Sequence, residues 1–249
     1  VRSSYEDWQV TYIPHGINED DYFPIDEKYE KYKGWFSASS AGSCFRKQLY
    51  RRDGVEGKQL ERRVQRLLRL GTVLHNDIEN AINSYKNNPN SDYLSSSISI
   101  YTEHRIELPE INVVGHLDIA VESEDSLHVY DIKTCAAYKW KTKFGRNPKF
   151  GSSTNYNLQV GTYAMGIGNE LENDNVTMSL LWYNKDNSMM REEKIPSSWI
   201  DKSFEYWIDL NEETEDTKPE ELNPGSYGVP MEDWECRYCE YKNIHCPGK

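Results

Sequence analysis

The sequence predicts an α/β fold, a mixed central sheet flanked by helices, and three features predict it. Residues 97–135 hold three consecutive segments of alternating character, SISIYTEHRIEL, INVVGHLDIAVE and SLHVYDIKTC, separated by short turn-forming pieces. The next patterned run, TNYNLQVGTYAMGIG, changes to helical spacing, with Leu158, Thr162 and Met165 on one face. Two further β-like runs, NVTMSLLWYNKD and MMREEKIP, lead into a helix from about Ser197 to Glu213. Helices, strands, helix, strands, helix is the order of a layered mixed-sheet domain.

Taken in order, residues 1–36 are rich in Tyr, Asp and Glu, and read as an N-terminal extension that packs on the domain through its aromatics. A single domain is expected from 37 to 249. SASSAGSCFRKQLYRRDG passes from small capping residues into a helix. A basic helix is expected over about 56–69 and a second over about 71–87, broken by NNPNSD. The three strands then form a meander, followed by a Gly/Asn/Lys-rich loop over 143–153. The C-terminus, DWECRYCEYKNIHCPGK, is short, aromatic and cysteine-rich.

The 249 residues suffice for a sizeable core. No apolar run reaches the roughly 18 residues of a membrane span. The opening VRSSYEDWQV has neither an initiator Met nor a signal-peptide pattern, so a soluble, cytoplasmic protein without membrane association is expected. The net charge of −12 is unevenly distributed. Residues 209–221 hold seven acids and one base, whereas 44–70 hold nine bases and three acids, and 138–151 hold five bases and no acid. Two basic tracts in an acidic chain suit a local binding track for a polyanion. In the second tract Lys139, Lys141, Lys143 and Arg146 interleave with Tyr138, Trp140, Phe144 and Phe150, a mixture that suits single-stranded DNA.

The candidate chemistry begins with Asp131 and Lys133, which share one side of a strand. Asp118 lies on the strand before; antiparallel pairing brings it beside Asp131. Two carboxylates about 4 Å apart repel strongly in a low-dielectric site, and a divalent cation compensates them. Oxygen ligands suit Mg²⁺ or Mn²⁺. Lys133 is then placed to hydrogen-bond a water on the metal or to stabilise charge developing on a phosphate. His75 and Glu79 are four apart on a helix and share a face; the His75 imidazole can join the same ion and shifts the preference toward Mn²⁺.

This series, G-x-x-x-H-x-x-x-E on a helix, G-x-x-D on a strand, D-x-K on the next strand and QVGTY on a following helix, resembles the PD-(D/E)XK nucleases, specifically their RecB-like branch. The resemblance implies a restriction-endonuclease-like fold and a Mg²⁺- or Mn²⁺-dependent deoxyribonuclease, an exonuclease acting on DNA ends with single-strand preference. It assigns His75, Asp118, Asp131 and the carbonyl of Ile132 to the metal and makes Lys133 the catalytic lysine. Gln159 and Tyr163 fall near the DNA backbone. Glu79 is left as a second-sphere group or an outer ligand of another ion.

Five cysteines, three of them in C-x2-C-x6-C spacing (Cys236, Cys239, Cys246), favour metal binding over disulfides. Cys44 and Cys135 are the candidates for a fourth ligand. Such a site holds zinc or an iron–sulfur cluster, and the chemistry alone does not separate them. The resemblance does: the AddB nuclease domain and the CRISPR-associated adaptation nucleases place one cysteine before the His motif and three near the C-terminus around a [4Fe–4S] cluster. That layout implies Cys44, Cys236, Cys239 and Cys246, with Zn²⁺ the alternative. The same relatives imply helicase, recombination or CRISPR-adaptation proteins as partners. A DNA-binding and processing subunit of such a complex, with little activity alone, is the alternative to the exonuclease.

Overall fold

The computed structural model describes residues 34–59, 61–86, 98–148, 154–225 and 233–248. The expected extension over 1–36 lies outside them, save for its last three residues.

A mixed sheet is built on β3 (Val113–Glu122), whose run of β-branched and small residues is buried over most of its length. β2 (Ser99–Leu108) pairs antiparallel along the length of β3 on one edge, with only Glu103 and Asp118 left out of the register. The other edge is shared. β1, only Phe36–Ser37, pairs parallel with Val113–Val114, and β4 (Leu127–Cys135) pairs antiparallel with Ile119–Glu122. β5 (Val176–Asn184) lies parallel to β4, and β6 (Met190–Ile195) closes the sheet antiparallel to β5. The expected meander and hairpin are both present. β1 was not foreseen, since two residues carry no periodicity.

The parallel β4–β5 pair needs a long crossover, which α3 (Ala137–Phe144) and α4 (Thr154–Glu170) supply. Every residue of α4 from Asn157 to Gly168 is buried, because the helix is enclosed between the sheet and α5 (Ser198–Thr214). Gly161 permits the helix contact: a Cβ there would stand 2.5 Å from the Trp199 carbonyl oxygen of α5. Trp207 of α5 is fully buried, stacks on Phe36 with ring centroids 6.1 Å apart, and donates from Nε1 to Thr162 Oγ1 at 2.8 Å.

On the N-terminal side, α1 (Phe45–Arg52) begins immediately after Cys44. The two helices expected over 56–69 and 71–87 are one continuous helix, α2 (Arg62–Lys86). Gly71 costs an exposed helix about 1 kcal/mol relative to Ala, too little to end it. A last short helix, α6 (Asp233–Tyr238), carries Cys236, and Cys239 follows directly after it. Among the described residues, no helix is long and apolar enough to cross a membrane.

Candidate active site

The β3–β4 ladder ends at Ile119–Tyr130, and the next residues along each strand are Asp118 and Asp131. There the strands part. The Ile132 N–H, which has lost its strand partner, donates instead to Asp118 Oδ2 at 2.5 Å. The fork thus directs a carboxylate from each strand into one space, and both are buried.

Lys133 enters from the Asp131 side, its Nζ 2.6 Å from Asp131 Oδ2. It also donates to Gln159 Oε1 at 2.9 Å, and Gln159 Nε2 donates to the Tyr163 hydroxyl at 3.0 Å. Gln159 and Tyr163 are one turn apart on α4, so the helix presents them as a unit. Burial pushes the Asp131 carboxyl up to about 6 against the pull of Lys133, with Asp118 adding to the rise. Burial draws the Lys133 ammonium down, but Asp131 and Asp118 outweigh it and hold its pKa raised. The Tyr163 hydroxyl is raised well above its usual value, chiefly by burial.

The helical pair arrives from the other side. His75 Nδ1 lies 3.6 Å from Asp118 Oδ1. Burial lowers the imidazole, but the hydrogen bond and charge of Asp118 prevail and raise it. Ligand atoms of His75, Glu79 and Asp118 lie within 4.8 Å of one another, a spacing one cation spans. Glu79 is pushed up to about 7 by burial and by the charge and hydrogen bond of Glu103.

Residues 90–247, more than half of the chain, match the family model of the PD-(D/E)XK nuclease superfamily. The chain belongs to that superfamily. Asp118, Asp131, Lys133, Gln159, Tyr163 and the three C-terminal cysteines fall inside the match; His75, Glu79 and Cys44 precede it. Among solved structures, SSO0001 is similar at 16% identity with a TM-score of 0.46, covering 86% of each chain. The "Putative exonuclease" of Eubacterium rectale is similar at 11% identity with a TM-score of 0.47, covering 90% of this chain and 98% of that one. No curated protein matches in sequence. PD-(D/E)XK nucleases use divalent metals such as Mg²⁺ and Mn²⁺, and the oxygen-rich donor set with one imidazole fits such an ion.

The basic tract after β4 differs from the loop expected. Residues 137–144 are α3, and its side chains divide by face. Lys143 is buried, paired with Glu193 at 2.9 Å, and its Nζ lies 4.9 Å from the Trp182 ring centre, so it is withdrawn from the DNA-binding set. Trp140 and Phe144 pack against the core, Phe144 edge-on to Trp182. Tyr138 is 77% exposed, and Lys141 and Arg146 are exposed. Lys139 is half-buried, bonded to the Tyr156 hydroxyl at 3.2 Å. Phe150 lies outside the described residues. Tyr156 itself was missed: its ring lies 4.8 Å from Lys133 Nζ and 4.7 Å from Lys139 Nζ, and no motif marks it.

Cys44, Cys236, Cys239 and Cys246 line one cavity, together with Arg46 and Lys47. Cys135 is buried in the main core. Tyr50 and Arg46 of α1 both donate to the His245 carbonyl, at 2.6 and 3.0 Å, which ties the C-terminal segment to the helix that starts at Cys44. The His245 ring bonds the Glu56 carbonyl at 3.0 Å. The Cys44 sulfur accepts the Gly225 N–H at 3.2 Å.

Proposed function

We propose that this chain is a Mg²⁺- or Mn²⁺-dependent deoxyribonuclease that removes nucleotides from DNA ends with single-strand preference, stabilised by a [4Fe–4S] cluster. The observation that carries the reading is the strand fork, where Asp118 and Asp131 converge with His75 on one side and the Lys133 ammonium on the other. Asp118, Asp131, His75 and the Ile132 carbonyl would hold the metal. A buried carboxylate pair of this kind is unfavourable without a cation. Bound there, the ion would lower the pKa of the attacking water and offset charge on the scissile phosphate.

The chain's own groups do the rest. Lys133 keeps its proton beside two carboxylates and stabilises the charge that gathers on phosphorus-bound oxygen in the transition state. Gln159 fixes the lysine's direction, and Tyr163 fixes Gln159. Lys141 and Arg146 provide solvent-facing charge for the phosphate backbone, and Tyr138 provides a ring on which a base can stack. These last contacts favour a strand whose bases are unpaired.

Four cysteines around one cavity suit a metal centre, and the resemblance to iron–sulfur nucleases favours the cluster, with Zn²⁺ the alternative. Arg46 and Lys47 offset the negative charge of four thiolates.

The test is a time course on end-labelled single- and double-stranded DNA with each metal, wild type against Lys133→Met. The expected result is stepwise loss from ends, faster on single strands, abolished by the substitution while DNA binding persists. A wild type that binds DNA but never cuts it with either metal would overturn the enzymatic reading and leave the binding subunit in its place.

A further inference from the structure

β6 is the outermost strand of the sheet, and among the described residues nothing pairs with its outer edge. Its residues, Met190–Ile195, offer about 20 Å of unpaired backbone. A free edge is a template for another strand, and charged side chains commonly guard it. Here four consecutive charges, Arg191, Glu192, Glu193 and Lys194, stand in the order plus, minus, minus, plus. They divide by face, and the two faces differ. On one, Glu193 is fully engaged inside the chain: Oε1 accepts from Lys143 at 2.9 Å and Oε2 from Trp182 Nε1 at 2.8 Å. Arg191, on the same face, lies over the Phe144 ring, 4.7 Å from its centre. On the other face Met190, Glu192 and Lys194 are all exposed. The buried Ser179 hydroxyl donates to Glu192 Oε1 at 2.7 Å and so fixes that carboxylate in place.

The order of these charges fits a second copy of the same strand. Consecutive residues of a strand turn their N–H and C=O groups to alternate edges, and opposed residues turn theirs alike. A strand pairing antiparallel with its own copy about a twofold axis therefore has one residue opposite itself. That excludes Arg191 against Lys194 and Glu192 against Glu193. An axis at Arg191 or Lys194 forms no ion pair. An axis at Glu192 sets two exposed acids against each other and pairs Arg191 with Glu193, whose oxygens are both engaged. An axis at Glu193 sets Glu192 of each copy opposite Lys194 of the other, two complementary pairs, with the exposed Met190 opposite the exposed Pro196. We propose that β6 is a homodimer interface, an antiparallel β6–β6 pair centred on Glu193 that joins the sheets of two copies. No residue assigned to the metal or to the chemistry lies on this edge, so the inference stands apart from the nuclease reading.

The test is sedimentation equilibrium on the full chain, free of DNA, from about 1 to 100 µM. Wild type is expected to form a reversible dimer. Lys194→Glu sets acid against acid, Glu192→Lys sets base against base, and each is expected to weaken association at least about tenfold. The double variant Glu192→Lys/Lys194→Glu restores opposite charges and is expected to return to within about threefold of wild type. Lys194 is exposed, so Lys194→Glu stays readable even where Glu192→Lys loses stability with the Ser179 bond. Hydrogen exchange locates the contact: β6 amides are expected to gain protection as concentration rises, in wild type and the double variant. A wild type that stays monomeric at about 100 µM would overturn the proposal. A dimer that neither single substitution weakens would overturn it too, because its interface lies elsewhere. So would a double variant as weak as the single ones, because opposite charges across β6 would not be what holds the copies together.

Discussion

Glu79→Gln isolates the electrostatic cost of the site. In the metal-free protein, burial and Glu103 push Glu79 from 4.5 to about 7. The native state therefore holds this proton more tightly than the unfolded chain does. Stability from that difference is fully present below pH 4.5 and is lost as pH rises through about 7. Each pKa unit corresponds to about 1.4 kcal/mol, so ionising Glu79 removes roughly 3 kcal/mol by pH 8. Asp131, raised to about 6, adds a loss of the same sign that is complete slightly earlier. Gln cannot ionise and keeps the shape. Urea unfolding at pH 5 and pH 8 in the presence of chelator should show wild type weakening between the two, and Glu79→Gln weakening less by about 3 kcal/mol. Parallel pH dependence in the two proteins would refute the reasoning, because it would mean that Glu79 ionises at no cost.

Four further outcomes follow from the same geometry. Cys44→Ser should lose bound iron and its visible absorbance, whereas Cys135→Ser, altered in the core, should retain both; metal analysis after anaerobic purification checks this. Arg46→Ala should cost about 2–4 kcal/mol, since it leaves the Leu222 and His245 carbonyls without their charged donor, and denaturation by urea measures it. Gly161→Ala should cost about 1–3 kcal/mol through the clash with Ser203 and the Trp199 carbonyl, read as a lowered melting temperature. Lys141→Ala combined with Arg146→Ala should weaken DNA binding and flatten its salt dependence by about one to two ion equivalents, while Lys143→Ala should instead lower stability.

The strands of 97–135 and the helix over 154–168 were legible because their periods of two and near four persist for nine residues or more, long enough for burial to enforce them. The placement of Asp131, Lys133, Gln159 and Tyr163 was legible for the same reason: each lies on an element whose phase the pattern fixes. The helix boundary placed near Gly71 was wrong because one glycine weakens a helix without ending it. The face of α3 was not legible. Lys139, Lys141 and Lys143 alternate along the chain, but on a helix that spacing spreads them around the axis, and a distant acid, Glu193, decides that Lys143 turns inward. The left-handed backbone of Glu103 opposite Asp118 was invisible altogether, because it depends on register and on an angle that no residue type announces.

Asp118 carries two duties that substitution can separate. As a carboxylate it faces the fork; as an acceptor it takes the Ile132 N–H that β3 abandons when the strands part. Asn at this position preserves an acceptor of the same length and removes the charge. Ala removes both, leaving a buried backbone donor without a partner, which costs about 1–3 kcal/mol. Both variants should therefore lose cation binding and cleavage, yet only Asp118→Ala should lose stability by that amount relative to Asp118→Asn in metal-free urea unfolding. Hydrogen exchange at Ile132 gives the local view: protection retained in the Asn variant, reduced in the Ala variant. Equal stability and equal protection in the two would mean that the fork is held open by the surrounding core alone, and that Asp118 is there only for the metal.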